Sequence, residues 1–157
     1  MSEQTALAGR VKVYLSDLEK VVNRTLMLSE KALTSGDDGY WDAVALNLHG
    51  FYGGVERIFE DIARTVDGNL PSGSEWHQGL LIQMSAEVPQ RRPAVISHEL
   101  RLALDEYRGF RHVVRNVYAF NFRPARLKEL SDNLKNCFNS LKMELFVLIE
   151  LLESLDN

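Results

Sequence analysis

Apolar residues recur at alternating steps of three and four along most of this chain, and no segment alternates with a period of two over a useful length. The clearest run is Val44, Leu48, Phe51, Val55, Ile58, Ile62 and Val66. Such steps place all of these side chains on one face of an α-helix, as in the seam between helices of an antiparallel bundle. The pattern therefore predicts an all-α protein.

The same periodicity predicts five helices, separated by segments rich in glycine, proline and aspartate. We expect them over residues 5–33, 40–66, 76–88, 94–119 and from 124 to about 155. Pro124 suits the first turn of the last helix. The predicted architecture is an antiparallel up-and-down bundle of four long helices plus one shorter helix, forming a single domain over residues 1–157.

The net charge, the cysteine content and the lengths of the apolar runs limit where such a bundle acts. The formal net charge is −4, so any attraction to nucleic acid or anionic lipid must be local. The single cysteine, Cys137, excludes an intramolecular disulfide and is expected to be a buried, inert thiol. The N-terminus lacks the basic start and apolar run of a signal peptide, and no run approaches 18 apolar residues. We expect a cytoplasmic protein with no membrane partner.

Three glycines, Gly50, Gly53 and Gly54, lie inside the second predicted helix. Each costs roughly 1 kcal/mol relative to alanine in a helix interior. A partner helix, a second subunit or a ligand that approaches the backbone closely would explain them. Close packing of helices is the preferred interpretation.

A basic segment stands out in this acidic chain. Residues 107–128 contain no Asp or Glu, but they include Arg108, Arg111, Arg115, Arg123, Arg126 and Lys128. On a helix, Arg111, Arg115 and Tyr118 lie within about 60° of one another. One interpretation is a solvated face whose arginines pair with acids on neighbouring helices. The other is a phosphate-binding site, because arginine binds phosphate in bidentate fashion.

The familiar enzyme signatures are missing from the sequence. It has no glycine-rich phosphate loop, no nucleophile elbow and no metal-binding spacing. The four histidines are scattered, and the carboxylates are expected on solvated helix surfaces, with nothing in their spacing to single out Glu56 or Asp61. We therefore predict neither a metal nor a cofactor.

Two segments resemble a known family. Residues 111–118, Arg-His-Val-Val-Arg-Asn-Val-Tyr, resemble the signature of the HEPN superfamily in its HepT-like branch, which reads arginine, a polar residue, three more, histidine, any residue, tyrosine. Residues 46–59 resemble the matching upstream helix. Arg111 corresponds to the arginine of the signature and Tyr118 to its tyrosine. The resemblance implies an HEPN-like bundle.

The resemblance also implies a function. Proteins of this branch are metal-independent endoribonuclease toxins that work as homodimers, with the motifs of two subunits facing each other across a cleft. The implied partners are RNA (tRNA or mRNA) and an MNT-type nucleotidyltransferase antitoxin, which adds adenylate to the motif tyrosine, here Tyr118. The candidate catalytic residues are Arg111, His112 and Asn116, and the candidate RNA-phosphate ligands are Arg108, Arg115 and Arg123.

The sequence departs from the signature at one important position. Asn116 occupies the place of the histidine, whereas His112 occupies the place of the polar residue. The two positions are one helical turn apart and share a surface. Asparagine cannot titrate, but an unperturbed imidazole titrates near pH 6.5. Either His112 substitutes, or activity is lost, or residue 116 carries an inactivating change. The alternative function is a catalytically silent nucleotide-binding, RNA-binding or adaptor protein.

Overall fold

The computed structural model describes residues 2–116 and 123–155, but it does not describe the side chains of residues 112–116. It contains five α-helices: α1 (Glu3–Ser35), α2 (Gly39–Ile62), α3 (Trp76–Met84), α4 (His98–Asn116) and α5 (Pro124–Ser154). A π-helical turn, Ala63–Asp67, continues α2. No strand occurs among these residues, which contain one isolated bridge between Val88 and Arg92. The prediction of an all-α, HEPN-like bundle is confirmed.

The ends of the long helices follow from local chemistry. The Ser2 hydroxyl accepts a hydrogen bond from the Thr5 amide at 3.2 Å and begins α1. Gly36, at φ 72°, ends it in the left-handed conformation that glycine adopts without strain. Pro124 occupies the first turn of α5, as predicted.

Helix α2 lies at the centre of the bundle and contacts α1, α3, α4 and α5. The whole predicted seam is buried, from Val44 to Val66. A second stripe, Tyr52, Glu56 and Phe59, is buried as well. Burying one large apolar side chain contributes about 1.5–3 kcal/mol, so these two stripes make α2 the main organiser of the core.

The predicted bounds of the third and fourth helices are too wide. Helix α3 ends at Met84 instead of 88, and α4 begins at His98 instead of 94. The cause is the buried guanidinium of Arg92, which binds the Asp67 carboxylate at 2.6 and 2.7 Å and donates to three backbone carbonyls of Gln83, Ala86 and Pro93. These bonds hold residues 85–97 as an ordered connection instead of helix.

The start of α4 is fixed by Ser97. Its hydroxyl accepts a hydrogen bond from the Leu100 amide at 3.1 Å and donates to the Glu144 carboxylate on α5 at 3.1 Å. Further along α4, Tyr107 is buried and donates to the Leu130 carbonyl at 2.7 Å. These contacts orient α4 against α5 and determine which of its faces turns toward α2.

Cys137 is buried in this core. Burial raises the pKa of its thiol to about 12. The thiolate is the reactive form of cysteine, so the side chain is an apolar filler, as predicted. Within the part of the chain that the structure describes, no helix has the length and apolar character needed to cross a membrane.

The three glycines of α2 have different surroundings. A Cβ atom on Gly54 would lie 2.5 Å from Cδ2 of the buried Leu18, so close packing of α1 on α2 explains this glycine. A Cβ on Gly50 or Gly53 would meet no described atom within 4 Å. Both line a cavity of about 390 Å³ between α1 and α2, which Arg111 also lines.

This difference gives a matched pair of variants. We expect Gly53→Ala to raise the melting temperature, because it gains about 1 kcal/mol of helix propensity without a clash. Gly54→Ala should give a lower melting temperature than Gly53→Ala, because the same gain is offset by roughly 1–3 kcal/mol for moving the buried Leu18 side chain aside. Thermal unfolding followed by circular dichroism measures both. A lower melting temperature for Gly53→Ala would mean that the open face is occupied, for example by a second subunit.

Candidate functional site

The candidate site begins with a carboxylate that is buried among three helices. Glu56 on α2 is 3% exposed, because the helical period places it between Tyr52 and Phe59 on the second buried stripe. Its Oε1 atom is in contact with Nη1 of Arg111 on α4. Its Oε2 atom lies 2.5 Å from Nδ1 of His77 on α3. A buried carboxylate requires such partners, because an unpaired buried charge is very costly.

A polar cavity of about 320 Å³ opens beside this cluster. Its walls come from α2, α4 and the start of α3, and its lining includes Tyr52, Glu56, Ser74, Glu75, His77, Gln78, Arg108 and Arg111. The volume falls at the lower end of the range of small-ligand sites. The cavity presents hydrogen-bond donors and acceptors together with side chains of both charges.

Tyr52 adds a buried hydroxyl to the wall. The residue is 1% exposed, and within the described part of the chain its oxygen has no hydrogen-bond partner. Burial raises the pKa of Tyr52, and the nearby charge of Arg108 opposes the shift only in part. The side chain is therefore a neutral phenol that can donate a hydrogen bond. An unsatisfied buried hydroxyl costs about 1–3 kcal/mol, which a bound acceptor would offset.

The predicted basic residues separate into two groups. Arg108 and Arg111 line the cavity, and Arg108 also contacts Asp105 at 2.6 Å, one turn earlier on α4. Arg123 is exposed just before α5 and does not line the cavity. Two further basic side chains form surface ion pairs, Arg126 with Glu106 and Lys128 with Asp132. For these two, the interpretation as a solvated, ion-paired face is supported.

The remaining predicted site residues lie beyond what the structure describes. The backbone of α4 carries His112, Arg115 and Asn116, but their side chains are not described. Tyr118 lies outside the described residues. Their roles stay predictions.

The cavity residues that were not predicted from the sequence include Tyr52, Glu56 and His77. The sequence did contain a signal for two of them. Positions 52, 56 and 59 continue the helical period beside the apolar seam, so a carboxylate at 56 is expected to be partly enclosed once α2 is central. Nothing local distinguishes His77, which reaches the site only because α3 packs on α2.

No metal centre is evident in the same region. Among the described residues there is no group of three or more His, Cys, Asp or Glu side chains placed to hold a metal ion. The lining of the cavity supplies guanidinium, imidazole, carboxylate and phenol groups.

The chain also matches a protein-family model. The model for a family described as "HepT-like protein" matches residues 43–152. The matched region runs from the beginning of α2 to the end of α5 and includes the cavity and the basic segment. No curated protein and no solved structure matches the chain.

The geometry predicts that the two cavity arginines contribute unequally to stability. Arg111→Ala removes a cation from a buried carboxylate and should cost about 3 kcal/mol of unfolding free energy. Arg108→Ala breaks a contact with a half-exposed aspartate and should change it by about 0.5 kcal/mol or less. Urea denaturation of both variants measures the difference. Equal losses would show that Glu56 does not depend on Arg111.

Proposed function

The chain belongs to the HepT-like protein family, and from that premise we propose that it is a metal-independent endoribonuclease toxin of a toxin–antitoxin pair. Membership itself suggests a toxin-like or ribonuclease-like function of the HEPN type. The observation that carries the finer proposal is the position of Arg111. The residue that corresponds to the motif arginine lines a polar cavity together with a second arginine and an imidazole.

The cavity supplies groups that RNA cleavage without metal requires. Such cleavage needs a base for the 2′-hydroxyl proton and cations that stabilise the negative charge of the phosphorane. Arg108 and Arg111 provide two guanidiniums on adjacent turns of one helix face. Arg115 and Arg123 are proposed to hold the RNA backbone on either side. The substrate class is RNA, either tRNA or mRNA.

The proposed active form is a homodimer. A twofold axis near residues 108–118 would bring both copies of Arg111 to one cleft, as an isologous contact allows. The catalytic set then comprises Arg111, His112 and Asn116 from each subunit. The cognate partner is an MNT-type nucleotidyltransferase antitoxin, which transfers adenylate to Tyr118 and thereby blocks the cleft.

The alternative is a catalytically silent HepT-like protein that binds a nucleotide, an RNA or its partner. Two observations favour it. Asn116 replaces the motif histidine, and Glu56 partly neutralises Arg111. The two functions are distinguished by turnover, because only the ribonuclease cleaves RNA.

A cleavage assay tests the ribonuclease proposal. We expect the protein to cut tRNA or an mRNA transcript in the presence of EDTA, and we expect Arg111→Lys to slow cleavage by roughly 100-fold, the scale of losing one preorganised donor. Lysine keeps the charge beside Glu56 but cannot bind phosphate in bidentate fashion. This variant therefore separates phosphate recognition from the stability effect of Arg111→Ala.

Controls for this assay come from the same chain. Lys128→Arg alters a surface ion pair and should leave the rate unchanged. Light scattering of the same samples should give twice the chain mass of 17.9 kDa. Tight RNA binding without cleavage by the parent protein would favour the silent alternative, and a monomer would contradict the two-subunit cleft.

Modification of Tyr118 tests the toxin–antitoxin assignment. Coexpression with a cognate nucleotidyltransferase should add roughly 330 Da, or a multiple of it, to the intact mass, because adenylylation introduces a charged phosphate group. Tandem mass spectrometry should locate the addition on the peptide containing Tyr118, and Tyr118→Phe should abolish it. An unmodified chain in the presence of an active partner and ATP would count against the assignment.

A further inference from the structure

We propose that His77, oriented by Glu56, is the base that accepts the 2′-hydroxyl proton during RNA cleavage at this cavity. The inference rests on the ribonuclease function proposed above. Under this proposal, His77 on α3 supplies the titratable side chain that the signature on α4 lacks at position 116.

The first observation is the orientation of the imidazole. Nδ1 of His77 lies 2.5 Å from Oε2 of Glu56, whose other oxygen contacts Arg111. A carboxylate bound to one ring nitrogen fixes the tautomer and directs the other nitrogen. The same arrangement orients the base in hydrolytic triads. Proton exchange with substrate is therefore assigned to Nε2.

The second observation is where the ring lies. The His77 side chain is 23% exposed, and it lines the cavity that contains Arg108 and Arg111. The ring of Trp76 stacks against it with centroids 3.7 Å apart. The imidazole thus contacts a carboxylate and an indole, and its ring forms part of the cavity wall.

The two other histidines whose side chains are described, His49 and His98, are placed differently. His98 lies at the start of α4 and contacts Arg101 at 3.0 Å. His49 lines the cavity of about 390 Å³ between α1 and α2. Among the residues whose side chains are described, His77 is the one imidazole in the cavity with both arginines. Imidazole is also the side chain whose charge changes near neutral pH.

The third observation points to a ligand with acceptor oxygens. The hydroxyl of Tyr52 is buried in the same cavity wall without a hydrogen-bond partner among the described residues. A phosphodiester presents non-bridging oxygens that can accept from Tyr52, Arg108 and Arg111 together. Among the residues whose side chains are described, the charged groups that line the cavity with His77 are Glu56 on α2, Glu75 before α3, and Arg108 and Arg111 on α4.

The proposed step balances as a transesterification. The 2′-oxygen forms a bond to phosphorus while its proton passes to Nε2 of neutral His77. The bond between phosphorus and the 5′-oxygen breaks, and that oxygen takes a proton from water. The imidazolium then returns its proton to the hydroxide. The products are a 2′,3′-cyclic phosphate end and a 5′-hydroxyl end.

The test compares His77→Asn with the matched control His98→Asn. The asparagine amide can still donate to Glu56, but it cannot carry the proton. We expect His77→Asn to lower the cleavage rate by about 10²–10⁴-fold, the usual contribution of a positioned base. Affinity for an RNA with a 2′-deoxy residue at the cleavage point should stay within about threefold of the parent. His98→Asn should cleave at the parent rate.

The dependence of the rate on pH distinguishes a base from a structural residue. A base acts when neutral, so the parent rate should rise with pH through the imidazole range and then level off. His77→Asn should lose this rise. In His77→Gly, which leaves space for a free ring, added imidazole should restore cleavage. The restoration of His77→Gly by imidazole tests the same role if His77→Asn folds poorly.

The possible results distinguish the role of His77 from the ribonuclease function on which it rests. Full cleavage by His77→Asn, with the pH dependence intact, would overturn the role of His77 while leaving the ribonuclease function in place. The same conclusion follows if His112→Asn alone removes the rise with pH. Absence of cleavage by the parent protein would overturn the ribonuclease function and this role with it. Loss of activity that free imidazole does not restore in His77→Gly would make His77 a structural residue.

Discussion

The enclosure of the Glu56 carboxylate is the constraint on which the site depends. Removing such a group from water costs several kcal/mol unless other groups compensate. The compensation comes from Arg111 and His77, which belong to two other helices. One acid therefore joins α2, α3 and α4 at a single point. The stability of the fold and the position of Arg111 therefore both depend on this contact.

The charge balance of the cavity follows from the same contact. Among the residues whose side chains the structure describes, Arg108 and Arg111 line the cavity with Glu56 and Glu75, so these formal charges cancel when His77 is neutral. Under the proposed function, a phosphate would be recognised by oriented hydrogen-bond donors more than by the net charge of the cavity, which agrees with the acidic composition of the chain. Long-range attraction of RNA would have to come from basic residues outside the cavity, such as Arg123.

Most of the fold could be predicted from the sequence, because apolar spacing reports directly on which helix faces are buried. The predicted seam of α2 is buried throughout, and Pro124 begins α5. The bounds near residues 85–97 could not be predicted. There the chain follows the hydrogen bonds of Arg92 with Asp67, and a tertiary contact over 25 residues leaves no periodic signal. The predicted close packing of helices explains Gly54, but it does not explain Gly50 and Gly53.

The site could be predicted only where its chemistry lies within one helix. Arg108 and Arg111 stood out because the basic segment is continuous in sequence. Glu56 and His77 come from segments 55 and 34 residues before Arg111, and their contacts exist only after three helices have packed. A signature read along α4 alone treats Asn116 as the loss of the base. In the folded chain, the imidazole of His77 on α3 contacts one carboxylate oxygen of Glu56, and Arg111 contacts the other. A missing residue in a local motif is therefore weak evidence for lost chemistry when the site is assembled from several helices.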